Sequence, residues 1–301
     1  MTSPARCVLL NPHAQGGRAA RLLPALQAAL PADVALHAPA DLSASLALLY
    51  RLPEGSRVVA VGGDGTLHRW LPALLARDHE LGVVPLGSGN DVARSMGLHR
   101  RNALSVLAHA LNGAPSFMDV GQVSWHDTTG MQRETLFLSS LTAGFDAAVV
   151  RRAQDGPSAL RGLPRYLWAT LGELARLQTW ALDVTADGES LHNGPALFAS
   201  SLNTPTFGSG MPATPAARTH DGLLNLLLAG PFERLGALAM LPRLLTGTHL
   251  SHARIRTQAF QSLTVLSTTP LPLAADGEWL GLARALRVGV QPAALRVVQK
   301  G

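Results

Sequence analysis

Lysine and cysteine are almost missing from this chain: in 301 residues Lys300 is the one lysine and Cys7 the one cysteine. A single cysteine excludes an internal disulfide framework and any zinc site built from cysteines. Beside Val8, Leu9 and Leu10, Cys7 reads as a buried, inert thiol. The lack of lysine excludes a phosphate loop that depends on an internal lysine. Cationic contacts to phosphate fall to arginine, or to backbone N–H groups at helix N-termini. Charge is sparse, at 15% of residues against 47% hydrophobic, which excludes a disordered chain. Long apolar runs are missing too, the richest stretches being cut by Arg, Pro or Gly before the roughly 18 residues that a membrane helix needs. The first ten residues lack the apolar core of a secretory signal, so a cytoplasmic location is expected. The eleven histidines show no His-x-x-x-His spacing around a Glu, which argues against zinc. No Gly-x-Ser-x-Gly elbow surrounds Ser139 or Ser140.

What is present is a run of alternating strands and helices, then a change of texture. Residues 6–10 read as a strand closed by Asn11-Pro12, residues 18–30 as a helix with leucines at 22, 23, 26 and 30, and residues 33–37 as a second strand. A helix over 41–51 has Asp41 or Ser43 to cap it. Residues 57–61 are apolar without interruption after Arg57, as a strand buried on both faces is. A further strand at 81–85 and a helix from about 90 complete the pattern, which predicts a parallel sheet with helices on both faces. Beyond about residue 118, short strand-like runs take over at 117–123, 135–141, 182–186, 196–202, 223–228, 262–267, 286–290 and 295–298. Helices are predicted at 160–177 and 232–245, and a loop over 203–220. The expected architecture is an α/β domain over 1–117 and a mainly antiparallel β-sandwich domain over 118–301.

Two glycine-rich loops follow consecutive strands. Gly62-Gly63-Asp64-Gly65-Thr66 precedes a helix expected to start near Thr66. Glycines let the backbone turn left-handed and let a phosphate approach without meeting a Cβ, and the helix behind offers N–H donors. Asp64 beside such a site makes electrostatic sense with a divalent cation between it and the phosphates. In Pro85-Leu86-Gly87-Ser88-Gly89-Asn90-Asp91-Val92-Ala93-Arg94 the logic recurs, with Asn90 or Asp91 as helix cap and Arg94 one turn further on. In parallel sheets, loops at the carboxyl ends of strands bind ligands, so nucleotide binding is the reading the pair supports. Asp276-Gly277-Glu278, taken alone, reads as a hairpin turn.

In order and approximate spacing these motifs resemble the diacylglycerol kinase and bacterial lipid kinase family, which also includes sphingosine kinases and, more distantly, NAD kinases. Asn11-Pro12, GGDGT at 62–66 and PLGSGNDVAR at 85–94 carry the resemblance first. It continues through Met118-Asp119-Val120-Gly121, residues 203–212, His220-Asp221-Gly222-Leu223-Leu224, and Pro270 to Glu278. The resemblance implies an NAD-kinase-like sheet and an ATP- and Mg²⁺-dependent transfer of the γ-phosphate to a lipid hydroxyl, with a diacylglycerol-like acceptor whose chains enter the second domain. It implies that Asp64 holds the magnesium–nucleotide, that Gly62, Gly63, Gly65 and Thr66 shape the phosphate cradle, and that Asn11, Ser88 and Asn90 contact the nucleotide. Asp91 would join the magnesium network, and Asp276 or Glu278 would serve as base. Asp221, with backbone carbonyls of Arg218 and Leu223, would bind a structural magnesium. The chain departs from the family at Gln15 before Gly16, at His68 and Arg69 after GGDGT, and at Gly208-Ser209-Gly210.

The alternatives are a kinase of a soluble acceptor such as NAD and a non-catalytic nucleotide-binding regulator. Expected partners are a lipid at the inner face of the membrane, met peripherally with the help of the +5 net charge, and no nucleic acid. A homodimer is left open.

Overall fold

The computed structural model describes residues 4–87, 89–99, 102–157 and 159–299. The chain divides into two units, Met1–Met118 with Ala293–Gly301, and Asp119–Pro292.

Unit 1 runs β1 (Arg6–Leu10), a 3₁₀ turn leading into α1 (Leu23–Ala29), β2 (Ala35–His37), α2 (Leu42–Arg51), β3 (Arg57–Gly62), α3 (Asp64–Ala76), β4 (Glu80–Pro85), α4 (Asp91–Ser95) and α5 (Ala103–Asn112). Its strands lie in the order β2-β1-β3-β4 and all pair in parallel. Val58, Val59, Ala60 and Val61 have no exposed surface, as an apolar run covered on both faces requires. Asp41 caps α2, its carboxylate accepting the N–H of Ala44 at 2.8 Å. Cys7 is buried in β1, and burial pushes its thiol up to about 11, an inert state.

Unit 2 contains β5 (Ser116–His126, which begins in unit 1), β6 (Gln132–Phe137), β7 (Ser140–Ala143), α6 (Phe145–Gln154), α7 (Leu163–Leu174), β8 (Trp180–Ala186), β9 (Glu189–Ala196), β10 (Phe198–Leu202), β11 (Leu224–Ala229), α8 (Arg234–Thr246), β12 (Ile255–Phe260), β13 (Ser262–Ala275) and β14 (Glu278–Val297). The pairings β5–β6, β7–β10, β10–β11, β11–β12, β13–β14 and β8–β9 are all antiparallel. β13 serves two neighbours, its Leu263–Ser267 half pairing with β8 and its Leu273–Ala275 half with β7. Its register with β14 shifts between Leu266 and Leu271, next to Pro270. Proline has no N–H to give a ladder, and bulges are where sheets accept it. The core between these strands is built from alternating residues such as Trp180, Leu182 and Val184.

Three sequence expectations need correction. The runs at 286–290 and 295–298 are one strand, β14, which passes through Gln291-Pro292 and continues beyond Ala293, a residue with φ of 51°. The run at 135–141 is two strands, broken at Leu138-Ser139. Residues 293–301, placed in the second domain from the sequence, belong to unit 1, where Arg296 and Val297 pair in parallel with Glu80 and Leu81.

Candidate active site

β3 and β4 pair in parallel from Arg57↔Glu80 to Gly62↔Pro85, so the loops leaving their carboxyl ends lie side by side. The first loop is shorter than the sequence suggests. β3 ends at Gly62 and α3 starts at Asp64, leaving Gly63 as the connection. Asp64, Gly65 and Thr66 therefore form the first helical turn; the Thr66 N–H donates to the Gly63 carbonyl at 2.9 Å, and the N–H groups of Asp64 and Gly65 precede the intrahelical ladder. The two loops touch through bare backbone. A Cβ on Gly63 would lie 2.6 Å from the Gly87 Cα, and one on Gly87 would lie 2.7 Å from the Gly63 Cα.

Side chains then lock the loops together. The Asp64 carboxylate accepts the backbone N–H of Asp91 at 3.1 Å and of Val92 at 3.2 Å. The cap of α4 thus comes from the neighbouring loop, and not from Asn90 or Asp91 as expected. Asn90 has φ of 56° and clamps its own turn: its Oδ1 accepts the Gly87 N–H at 2.7 Å and its Nδ2 donates to the Gly87 carbonyl at 2.8 Å. Asn11 Nδ2 donates to Thr66 Oγ1 at 2.8 Å, tying the loop after β1 to the first turn of α3. Asp91 is buried, with the Arg94 guanidinium 4.0 Å away. Asn11, Gly62, Gly63, Asp64, Gly65, Thr66, Asn90 and Asp91 therefore share one locus in unit 1. Ser88 lies outside the described residues.

In unit 2, Asp276 and Gly277 have φ of 48° and 82°, and they connect β13 to β14 between the paired Ala275 and Glu278. Positive φ at both central residues is the tight hairpin geometry that Asp-Gly favours. The Asp276 side chain is buried and accepts three backbone N–H groups, from Leu138 at 2.9 Å, Ser139 at 2.7 Å and Ser140 at 3.0 Å. Asp187-Gly188 repeats the device between β8 and β9, with φ of 48° and 84° and a carboxylate that accepts the N–H groups of Gln261 and Ser262. Asp276 is therefore engaged as a brace for the β6–β7 break, while Glu278, at the first position of β14, is half-buried.

Asp221 is exposed and its carboxylate accepts the N–H of Leu223 at 3.1 Å. Arg218 is likewise exposed, in the same loop.

Two residues that the sequence shows within motifs, without a role of their own, organise this region. Asp119 is 1% exposed, and its carboxylate accepts the Gly222 N–H at 2.8 Å. Asn203 is fully buried, and its Nδ2 donates both to the Asp119 carbonyl and to the Leu138 carbonyl. Since Leu138 also donates to Asp276, one hydrogen-bonded chain links Asp119, Asn203, Leu138 and Asp276. Asp119 and Asn203 sit at motif boundaries, but their partners are remote in sequence and no local pattern announces them.

A parallel α/β unit with abutting glycine loops and an antiparallel β unit define an NAD-kinase-like fold. The chain resembles a diacylglycerol kinase structure from Bacillus anthracis with a TM-score of 0.74, at 17% identity over 100% of this chain and 99% of that one. It resembles yeast NADH kinase with a TM-score of 0.50, at 11% identity over 100% and 85% of the two chains. At such identities the likeness concerns the fold. Sequence similarity goes further. Residues 6–123 match the diacylglycerol kinase catalytic domain, and residues 139–299 match the YegS C-terminal NAD kinase beta sandwich-like domain. A YegS-like lipid kinase of Pseudomonas putida is 34% identical over 246 residues, 80% of this chain and 76% of that protein. A diacylglycerol kinase of Mycobacterium tuberculosis is 29% identical over 242 residues, with the same coverage. The chain belongs to the family of diacylglycerol kinases and YegS-like lipid kinases.

Proposed function

We propose that this protein is an ATP- and magnesium-dependent lipid kinase that passes the γ-phosphate to the hydroxyl of a diacylglycerol-like lipid. The observation that carries the reading is the Asp64 carboxylate bonded to the start of α4, which makes the two glycine loops one rigid cradle. Unit 1 holds the nucleotide. The first turn of α3 and the bare Gly63–Gly87 contact admit phosphates to backbone donors, while Asn11 fixes Thr66.

Magnesium takes one or two carboxylates alongside phosphate and water, and Asp64 with Asp91 matches that donor set; a bound ion supplies neutralisation of the charge that develops on the transferring phosphoryl group. Asp221 is the proposed ligand of a second, structural ion. Unit 2 supplies the acceptor side. Glu278 is the base toward the lipid hydroxyl, and Asp276 is the positioning residue that fixes the turn bearing it.

We propose peripheral contact with an anionic membrane surface. None of the described helices is long and apolar enough to cross a membrane. α8 exposes Leu235, Leu238 and Leu245, which share one helix face by their spacing, and Arg234 stands at its start.

The test is incubation with labelled ATP, magnesium and lipid in mixed micelles, beside Asp64→Asn. Label entering the organic phase with the wild type alone supports the reading. Label entering NAD and no lipid would overturn it in favour of a soluble acceptor, and ATP binding without any transfer would make the protein a nucleotide-binding regulator.

A further inference from the structure

Glu278 and Trp279 stand on a short piece of β14 between two interruptions. On one side is the Asp276-Gly277 turn. On the other the register with β13 shifts: Ala274 pairs with Trp279 but Leu273 with Gly281, so Leu280 is one residue too many. Gly281 takes up the distortion with φ of 113°. A bulge bends its strand and re-aims the side chains beside it. The ladder alone therefore does not set the direction of Glu278.

α6 grips this piece from outside the ladder, with one hold on each neighbour of Glu278. Gln154 Nε2 donates to the Gly277 carbonyl at 2.9 Å. The Arg151 guanidinium lies 5.1 Å from the centre of the Trp279 ring, within the reach of a cation–π contact. Arg151 and Gln154 are three residues apart and so share one face of the helix. The helix is itself anchored away from the turn. Asp146, in its first turn, is 3% exposed and accepts the Ser200 hydroxyl of β10, whose oxygen accepts the Ala143 N–H of β7 at 3.2 Å. Phe145 packs against the core. Further along, Arg152 Nε donates to the Glu173 carboxylate of α7, where Gly172 leaves it room: a Cβ there would lie 2.9 Å from Arg152 Cδ. A helix fixed to β7, β10 and α7 can hold a turn in place.

We propose that α6 is a clamp on the turn bearing the base, with Gln154 and Arg151 as positioning residues that act through Glu278. The proposal rests on the lipid kinase reading, in which Glu278 is that base. Asp276 holds the turn from its buried side, through the N–H groups of Leu138, Ser139 and Ser140. Gln154 and Arg151, both exposed, hold it from the solvent side. A reacting group misplaced by about 1 Å can lose about 100-fold in rate, and release of the outer holds alone is expected to cost about tenfold.

The experiment has an exchange arm and a turnover arm, both with Arg151→Met combined with Gln154→Ala, which leaves the core intact and is expected to keep the wild-type Tm. In the first arm, hydrogen–deuterium exchange is expected to quicken at least tenfold in peptides covering residues 277–280 and to stay unchanged in β10 and β11. In the second, labelled ATP is supplied with a total bacterial lipid extract in mixed micelles. The maximal rate of lipid labelling is expected to fall about tenfold while KM for ATP stays within a factor of two. In a Glu278→Gln background the same pair is expected to change the rate less than twofold, because residues that act through Glu278 then have nothing to position. An equal loss in both backgrounds would overturn the link to the base and leave the kinase reading standing. Unchanged exchange at the turn would overturn the clamp whether or not lipid is labelled. Quickened exchange in a protein that labels no lipid would support the clamp and sink the kinase reading.

Discussion

Gly63 and Gly87 face each other across the two loops so closely that neither position has room for a methyl group, the clash falling on the Cα of the other. Backbone cannot move aside as a flexible side chain can, so Gly63→Ala or Gly87→Ala forces the loops apart. Overpacking of this kind costs about 1–3 kcal/mol. The expected result is a lower Tm and an apparent KM for ATP raised at least tenfold, read by thermal unfolding and a kinase assay.

Asp64 caps α4 with both carboxylate oxygens, one for the Asp91 N–H and one for the Val92 N–H, and in the proposed function it also holds magnesium. Asp64→Asn keeps one acceptor oxygen, replaces the other with a donor and removes the charge. Activity is expected to fall at least a hundredfold, with a modest drop in Tm. Asp64→Ala removes both acceptors, and loss of a cap costs about 0.5–2 kcal/mol. Full activity in Asp64→Asn would remove Asp64 from the metal role.

Asp276 and Glu278 separate in the opposite way. Asp276→Ala leaves three buried N–H groups without an acceptor, each costing about 1–3 kcal/mol. Urea unfolding is expected to show severe loss of stability. Glu278→Gln is expected to leave stability intact and lower kcat by about 10²–10⁴, the range for a general base. Full activity in Glu278→Gln would remove it from the base role.

How much of this was legible in the residues depended on distance along the chain. β1, β3 and β4 were readable because an apolar run between turn residues is a local signal, and Asp41 announced its helix as a cap does. α6 was missed, since Phe-Asp-Ala-Ala-Val-Val-Arg-Arg-Ala-Gln shows no clean apolar stripe and tertiary packing holds it. The break at Leu138-Ser139 is made by Asp276, far along the chain, and nothing local marks it. Of the site, the glycine loops and their carboxylates could be read, whereas the capping of α4 by Asp64 and the Asp119–Asn203 link depend on the fold.

Asp146, in the first turn of α6, is fully buried, and desolvation pushes its carboxyl up to about 6, against the lowering effect of hydrogen bonds from Ser200 and the Ala147 N–H. A carboxyl with a raised native pKa stabilises the fold while it is protonated, below the unfolded value of 3.8. That contribution is lost as pH rises toward about 6, by roughly 3 kcal/mol. Burial lowers the pKa of His79 and of His249, so their contribution runs the other way and is lost as pH falls below 6.5. Urea unfolding from pH 4 to 7 is expected to show Asp146→Asn gaining on the wild type as pH rises. A constant difference would mean that Asp146 is ionised throughout.

The leucine face of α8 makes a separate prediction. Leu235 is 80% exposed, and burying a leucine contributes about 1.5–3 kcal/mol. Leu235→Ser with Leu238→Ser is expected to reduce cosedimentation with anionic vesicles at least tenfold without altering the Tm, and salt is expected to weaken wild-type binding. Unchanged vesicle binding would show that the membrane is met by another surface.

The return of β14 into unit 1 has a consequence for the order of events during synthesis. Unit 2 occupies the middle of the chain, and every residue it needs has been made before the strand segment that pairs with β4 emerges. The unit that carries the glycine loops is begun first and completed last: until Arg296 and Val297 arrive, one edge of β4 stays open. A chain truncated after Pro292 should therefore contain every residue of unit 2, together with a unit 1 that still lacks its final strand.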